Sequence, residues 1–154
     1  MFERIKETKI ILFPTVVVVS GYFDPITPAH IQYMEEAKKL GDILIVILSS
    51  DEQLLAKRKG TKLEGKIRYP FEHRKFIIEH LKPVDEVVVN IDLDTSVSES
   101  LRYYKPNIFA KGGDRNLDNI PESEIKACQE IRCKIICGIG GEKTHSSSWY
   151  DWEV

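Results

Sequence analysis

Short runs of β-branched and apolar residues alternate with segments of helical periodicity along this chain, and that alternation restricts it to a small set of folds. Residues 15–20 form a β-branched run that ends at Gly21. Residues 28–40 place Ile31, Met34, Ala37 and Leu40 on one helical face, and Gly41 is the expected stop. Residues 42–49 are apolar on both faces, as a strand covered on both sides requires. A short helix is predicted over 51–57, a polar loop with Lys62, Lys66 and Arg68 over 60–69, and a helix over 71–81. Strand 86–90, helix 96–104, strand 108–110, a helix opened by Pro121 and running to about residue 130, and strand 133–137 complete the pattern.

Strands separated by helices build βαβ units and a parallel sheet, and right-handed crossovers put helices on both faces. The expected fold is therefore α/β, a Rossmann-like doubly wound parallel sheet of about five strands in three α/β/α layers. Neither an internal repeat nor a linker is visible, so residues 1–154 read as a single domain, with 1–14 as an N-terminal extension. With a net charge of -2 there is no overall basic field to attract nucleic acid or an anionic membrane, so any anion site must be local. The longest apolar runs, 10–13, 16–19 and 43–48, are too short to span a bilayer. Residues 1–9 are charged and contain no signal-peptide core. Cys128, Cys133 and Cys137 are odd in number and do not match a zinc-ribbon spacing, which favours reduced thiols and a cytoplasmic location.

Ligands of such sheets bind beyond the carboxyl ends of the strands. That rule selects the turns after Ser20, Ser49 and Ala110. In the first, Gly21 permits a close backbone approach, Thr27 is placed to cap the next helix, and Pro28 suits its first position. A helix N-terminus favours phosphate, and Thr27 and His30 fall on one face of it. A hydroxyl and an imidazole N–H there are suited to stabilising charge on a phosphoryl group. Taken alone, the pair reads equally as a capped helix with a surface histidine. Asp24 reads either as a metal ligand or, preferably, as a turn aspartate bonding nearby amides.

The string from Gly21 to His30 resembles the signature of the nucleotidyltransferase superfamily, Gly-x-Phe-Asp followed by His/Thr-x-Gly-His. Gly21, Phe23, Asp24, Thr27 and His30 match, and Ala29 stands where the family usually has glycine. The resemblance is nearest to the heptose-phosphate adenylyltransferase and glycerol-3-phosphate cytidylyltransferase branch, and it extends over roughly residues 16–148. It implies that a loop lysine and the arginine of a Glu-x-Arg motif contact substrate phosphates. Lys59 and Arg74 are the matching positions, Lys57 competes for the loop position, and His73 reads as packing or surface. Cations are needed there because phosphoryl transfer rests on positioning and charge neutralisation.

The Lys111-Gly112-Gly113-Asp114 turn resembles that of the heptose-phosphate enzymes, with two glycines for a tight turn and Asp114 for ribose hydroxyls. Ser146, Ser147 and Ser148 resemble the serine and threonine element that holds the nucleotide phosphates in the superfamily. The resemblance thus implies catalysis by Thr27, His30, Lys59 and Arg74. It implies nucleotide binding by Gly21, Tyr22, Phe23, Lys111, Gly113, Asp114 and Ser146 to Ser148. Mg2+ is the implied cofactor, with no protein ligand assigned. The expected reaction transfers NMP from an NTP, ATP before CTP, to a phosphorylated sugar or polyol with release of pyrophosphate. A flavin- or pantetheine-type adenylyltransferase and a non-catalytic nucleotide-binding module are the alternatives. A homodimer is the expected assembly, with no nucleic acid and no membrane as partner.

Overall fold

The computed structural model describes residues 12–141. Five parallel strands form one sheet: β1 (Val16–Gly21), β2 (Ile43–Leu48), β3 (Glu86–Val89), β4 (Ile108–Gly112) and β5 (Lys134–Ile139), in the order β3-β2-β1-β4-β5. Five helices connect them: α1 (Pro28–Lys38), α2 (Asp51–Arg58), α3 (Phe71–Glu79), α4 (Ser98–Tyr104) and α5 (Glu122–Ile131). This is the doubly wound α/β arrangement that the alternation predicts. The order reverses at β1, whose neighbours are β2 and β4, so a crevice opens above the carboxyl ends of β1 and β4.

The two faces of the sheet follow from the strand period of two. Val17 and Val19 point into one core with Met34, Ala37, Leu44, Leu48 and Ile78. Val18 points the other way, into a core with Ile47, Leu101, Phe109 and Ala127. Each face is thus covered by helices, and β2 carries apolar residues on both sides because both sides are buried.

Local capping fixes where the helices begin. Ser50 and Gln53 cap α2 reciprocally, Ser50 Oγ accepting from Gln53 N at 3.1 Å and Gln53 Oε1 from Ser50 N at 2.8 Å. Helix α4 has no cap of its own; the Asp92 carboxylate, arriving from beyond β3, accepts the N–H groups of Glu99 and Ser100 at 2.8 and 2.9 Å. At the end of α5, Arg132 takes a left-handed conformation and Cys133 N donates to Cys128 O at 2.8 Å. Cys128 and Cys133 are therefore the buried apolar pair of a Schellman ending.

Gly41 differs from its expected role. Helix α1 closes at Lys39 in an ordinary right-handed conformation. A side chain at Gly41 would instead stand 2.7 Å from Thr15 O and from a Val17 methyl, so the glycine is required by close approach to β1. No helix among the described residues is long and apolar enough to cross a membrane.

Candidate active site

The turn after β1 is organised around two contacts. Thr27 and His30 form a capping box on α1, with histidine in the place that Glu or Gln usually fills. His30 N donates to Thr27 Oγ1 at 3.4 Å, and Thr27 N donates to His30 Nδ1 at 3.0 Å. Since Nδ1 accepts from a backbone N–H, the neutral ring carries its proton on Nε2. The ring stands edge-on to Phe23, with centroids 5.0 Å apart and planes at 81°. Phe23 has a left-handed backbone, φ 51°, which turns its ring back over Gly21. A Cβ on Gly21 would meet that ring at 2.7 Å. Gly21 is therefore needed for Phe23, and Phe23 in turn supports His30.

Thr27 is itself buried and does not line the cavity described below, in contrast to the expectation that it reaches a phosphate. Its hydroxyl and amide are directed at His30, so its structural action is on the orientation of the imidazole.

Asp24 is buried, and its carboxylate accepts from Arg58 Nη1 at 2.8 Å and from the backbone N–H groups of Arg68 and Tyr69 at 2.7 and 2.6 Å. The carboxylate thus has a structural role, but its amide partners lie in the 60–69 loop rather than in its own turn as expected. Arg58 also donates to Asp24 O at 2.9 Å and to Lys66 O at 2.8 Å, so the buried pair fastens the polar 60–69 loop to the first turn.

Arg74 departs from its expected place. It is 1% exposed and lies outside the cavity. Its guanidinium donates to Tyr69 O, Tyr22 O and Ser49 O at 2.8–2.9 Å and pairs with Asp51 at 2.7 Å. It joins the first turn, the end of β2, the loop and the start of α2, whereas the Glu-x-Arg resemblance assigns it to a substrate phosphate. Lys59, the carboxyl-terminal cap of α2, is exposed and also lies outside the cavity. Its competitor Lys57 lines the cavity, as does Lys62. His73 is exposed, as expected.

The cavity has a volume of about 490 Å³, within the range of small-molecule sites. It lies over the switch point, between the first turn, the start of α1, the end of α2 with its loop, and the ends of β4 and β5. Gly21, Tyr22, Phe23, Ala29 and His30 form one side, and Lys111, Gly112, Gly113 and Asp114 form another. Burial raises the Tyr22 phenol above its ordinary value, and Glu124 and Asp94 add to that. Lys111 is pushed below the ordinary lysine value, chiefly by burial.

Sequence reasoning missed Arg58, Tyr33 and the Gly138-Ile139-Gly140-Gly141 turn. Ile139, Gly140 and Gly141 close the cavity beyond β5. Gly140 has φ 86° and lies so near Tyr33 that a Cβ would stand 3.1 Å from its Cα. Tyr33 donates to Ala110 O, tying α1 to β4, and burial raises its phenol pKa strongly. The glycine cluster after a last strand was a legible signal under the carboxyl-end rule. Ser146, Ser147 and Ser148 lie outside the described residues. No cluster of three His, Cys, Asp or Glu suited to a metal occurs among the described residues.

A family model described as cytidylyltransferase-like matches residues 18–153. The chain belongs to this family, the nucleotidyltransferase superfamily that the first turn resembles. It is 39% identical over 102 residues to the FAD synthase of Ferroglobus placidus, covering 66% of this chain and 61% of that one. It is 39% identical over 116 residues to the FAD synthase of Archaeoglobus profundus, covering 75% and 66%. The chain thus spans between three fifths and two thirds of the length of these relatives. The bifunctional protein HldE of Methylococcus capsulatus is 37% identical over 99 residues, which cover 64% of this chain and 20% of HldE. Among solved structures, the lipopolysaccharide core biosynthesis protein of Thermoplasma volcanium matches with a TM-score of 0.64 and 27% identity, covering 85% of this chain and all of that one.

Proposed function

We propose that this chain is an adenylyltransferase that joins the AMP of ATP to a phosphate monoester, with flavin mononucleotide as the acceptor. The observation that carries the reading is the cavity at the switch point, where His30, Lys57, Lys62 and Lys111 from three parts of the chain line one space of nucleotide size. FAD is flavin mononucleotide bearing an adenylyl group, and the FAD synthase relatives support that acceptor ahead of the sugar phosphate first expected. Leu54 and Leu63 add an apolar wall beside the lysines, which suits an acceptor with a large ring system.

The chemistry needs no side-chain nucleophile. A phosphate oxygen of the acceptor forms a bond to the α-phosphorus of ATP, the bond to the bridging oxygen breaks, and pyrophosphate leaves with the electron pair. His30 Nε2–H donates to the charge that builds on the transferring phosphate. Lys57 and Lys62 neutralise the acceptor and leaving phosphates. Asp114 accepts from the ribose hydroxyls, and Ser146 to Ser148 hold the β- and γ-phosphates. Mg2+ bound to the triphosphate would supply further charge neutralisation.

A sugar-phosphate acceptor is the second reading, supported by HldE and by the lipopolysaccharide core biosynthesis protein. A homodimer would cover the outer edge of β3, where Val89, Ile91, Leu93 and, on α4, Tyr103 are exposed. Pyrophosphate release with ATP and CTP against flavin mononucleotide, glycerol phosphate and heptose phosphate tests the reading. ATP with flavin mononucleotide should be fastest. Nucleotide binding without turnover under every pairing would instead identify a non-catalytic module.

A further inference from the structure

Lys111 leaves the end of β4 with its ammonium 4.6 Å from the centroid of the Phe109 ring and 3.6 Å from Oε1 of Glu124 on α5. Both side chains are largely buried, 12% and 5% exposed. Glu124 Oε2 accepts the N–H of Val97 at 3.2 Å, whereas Oε1 is buried without a hydrogen-bond partner. An unpaired carboxylate oxygen in such a place is costly unless a cation stands near it. Lys111 is that cation, and it also lines the cavity. At 3.6 Å the carboxylate attracts the ammonium without taking a short hydrogen bond from it.

We propose that Glu124 is the positioning residue for Lys111, holding its ammonium charged and turned to the cavity for a nucleotide phosphate. The identity of that anion rests on the nucleotidyltransferase reading. The pairing of the two residues does not.

The charges around Lys111 leave Glu124 as the principal support of its protonated form. Burial and the Arg115 guanidinium on the following turn both disfavour the ammonium, while Glu124 on α5 and Cys137 on β5 favour it. Cys128, one turn along α5, interacts with both Lys111 and Glu124, and Tyr22 of the first turn faces Glu124. Of these groups Glu124 is the carboxylate. An ammonium carries three donors, so a long 3.6 Å pairing with one carboxylate oxygen leaves donors for a phosphate.

The test begins with the ligand-free protein. The Lys111 titration is followed by NMR on lysine-labelled wild type, Glu124→Gln and Glu124→Asp. Loss of the carboxylate should lower the Lys111 midpoint by on the order of 1–3 units, and Glu124→Asp should largely restore it. ATP affinity is then measured against pH by calorimetry. The alkaline loss of affinity should move to lower pH in Glu124→Gln by the same interval. With Lys111→Arg added, the displacement caused by Glu124→Gln should vanish, because the arginine charge is permanent. An unchanged Lys111 midpoint in a folded Glu124→Gln protein overturns the proposal, as does a Glu124→Gln displacement of the alkaline limb that persists with Lys111→Arg. A midpoint that falls in a protein binding no nucleotide upholds the pairing and refutes the nucleotide reading.

Discussion

The backbone N–H of Thr27 donates to Nδ1 of His30 at 3.0 Å, and this bond determines what His30 can do. It leaves the proton of the neutral ring on Nε2 and makes His30 a donor rather than a base. His30→Ala should lower turnover by about 10²–10³-fold, the usual effect of losing one such donor, with the fold retained by circular dichroism. Thr27→Ala should cost about 1 kcal/mol of stability through the lost cap and reduce turnover less than His30→Ala. Equal losses in the two variants would point to a direct role for the Thr27 hydroxyl.

Gly21→Ala should act at a distance through the Phe23 ring. The new methyl would stand 2.7 Å from that ring, which supports the imidazole. Overpacking of this kind costs about 1–3 kcal/mol. A displaced His30 should lower kcat in the fraction that stays folded. A crystal structure of the variant with Phe23 and His30 unmoved would contradict the linkage.

The buried Asp24–Arg58 pair should matter more to stability than any other ion pair among the described residues, since its side chains are 0% and 8% exposed. Asp24→Asn removes the buried carboxylate that pairs with Arg58 and should cost about 3–5 kcal/mol in denaturant unfolding. It also weakens the anchor of the 60–69 loop, so amide exchange should quicken at Arg68 and Tyr69, whose N–H groups Asp24 accepts. Unchanged exchange at both amides would show that the loop is held by other means.

Arg74→Lys should separate the structural role from the phosphate-binding one. A lysine cannot serve four acceptors in a fixed fork, so stability should fall by about 2–3 kcal/mol while KM for ATP in the folded fraction changes little. Lys57→Ala and Lys62→Ala should show the reverse, a raised KM with stability within about 0.5 kcal/mol, and Lys59→Ala should match wild type. A higher KM in Lys59→Ala than in Lys57→Ala would return the loop role to Lys59.

The fold was legible because its signals are local. Val17, Val18 and Val19 announce a strand buried on both sides, and Ile31, Met34 and Ala37 announce an amphipathic helix. The site was legible where residues sit on turns at strand ends, as for His30 and Lys111. It was less so where function-like residue types are buried. Arg74 falls on the same helical face as Phe71 and Ile78, three and four residues away, and that spacing marks an inward position. Arg58 similarly lies four residues beyond the buried Leu54. A motif names a residue type, whereas burial is decided by what packs around it. Lys57 and Lys59 differ only in their direction around one helix end, which depends on where α2 closes.

The central claim concerns which phosphorus is attacked. ATP labelled at the α-phosphorus, and separately at the γ-phosphorus, should be incubated with the protein, Mg2+ and flavin mononucleotide, and the products separated by mass. The account predicts that the α-label appears in FAD and the γ-label only in pyrophosphate, with both transfers strongly reduced in His30→Ala. Transfer of the γ-label to the acceptor would contradict it, as would the absence of any adduct with flavin mononucleotide and every sugar or polyol phosphate offered.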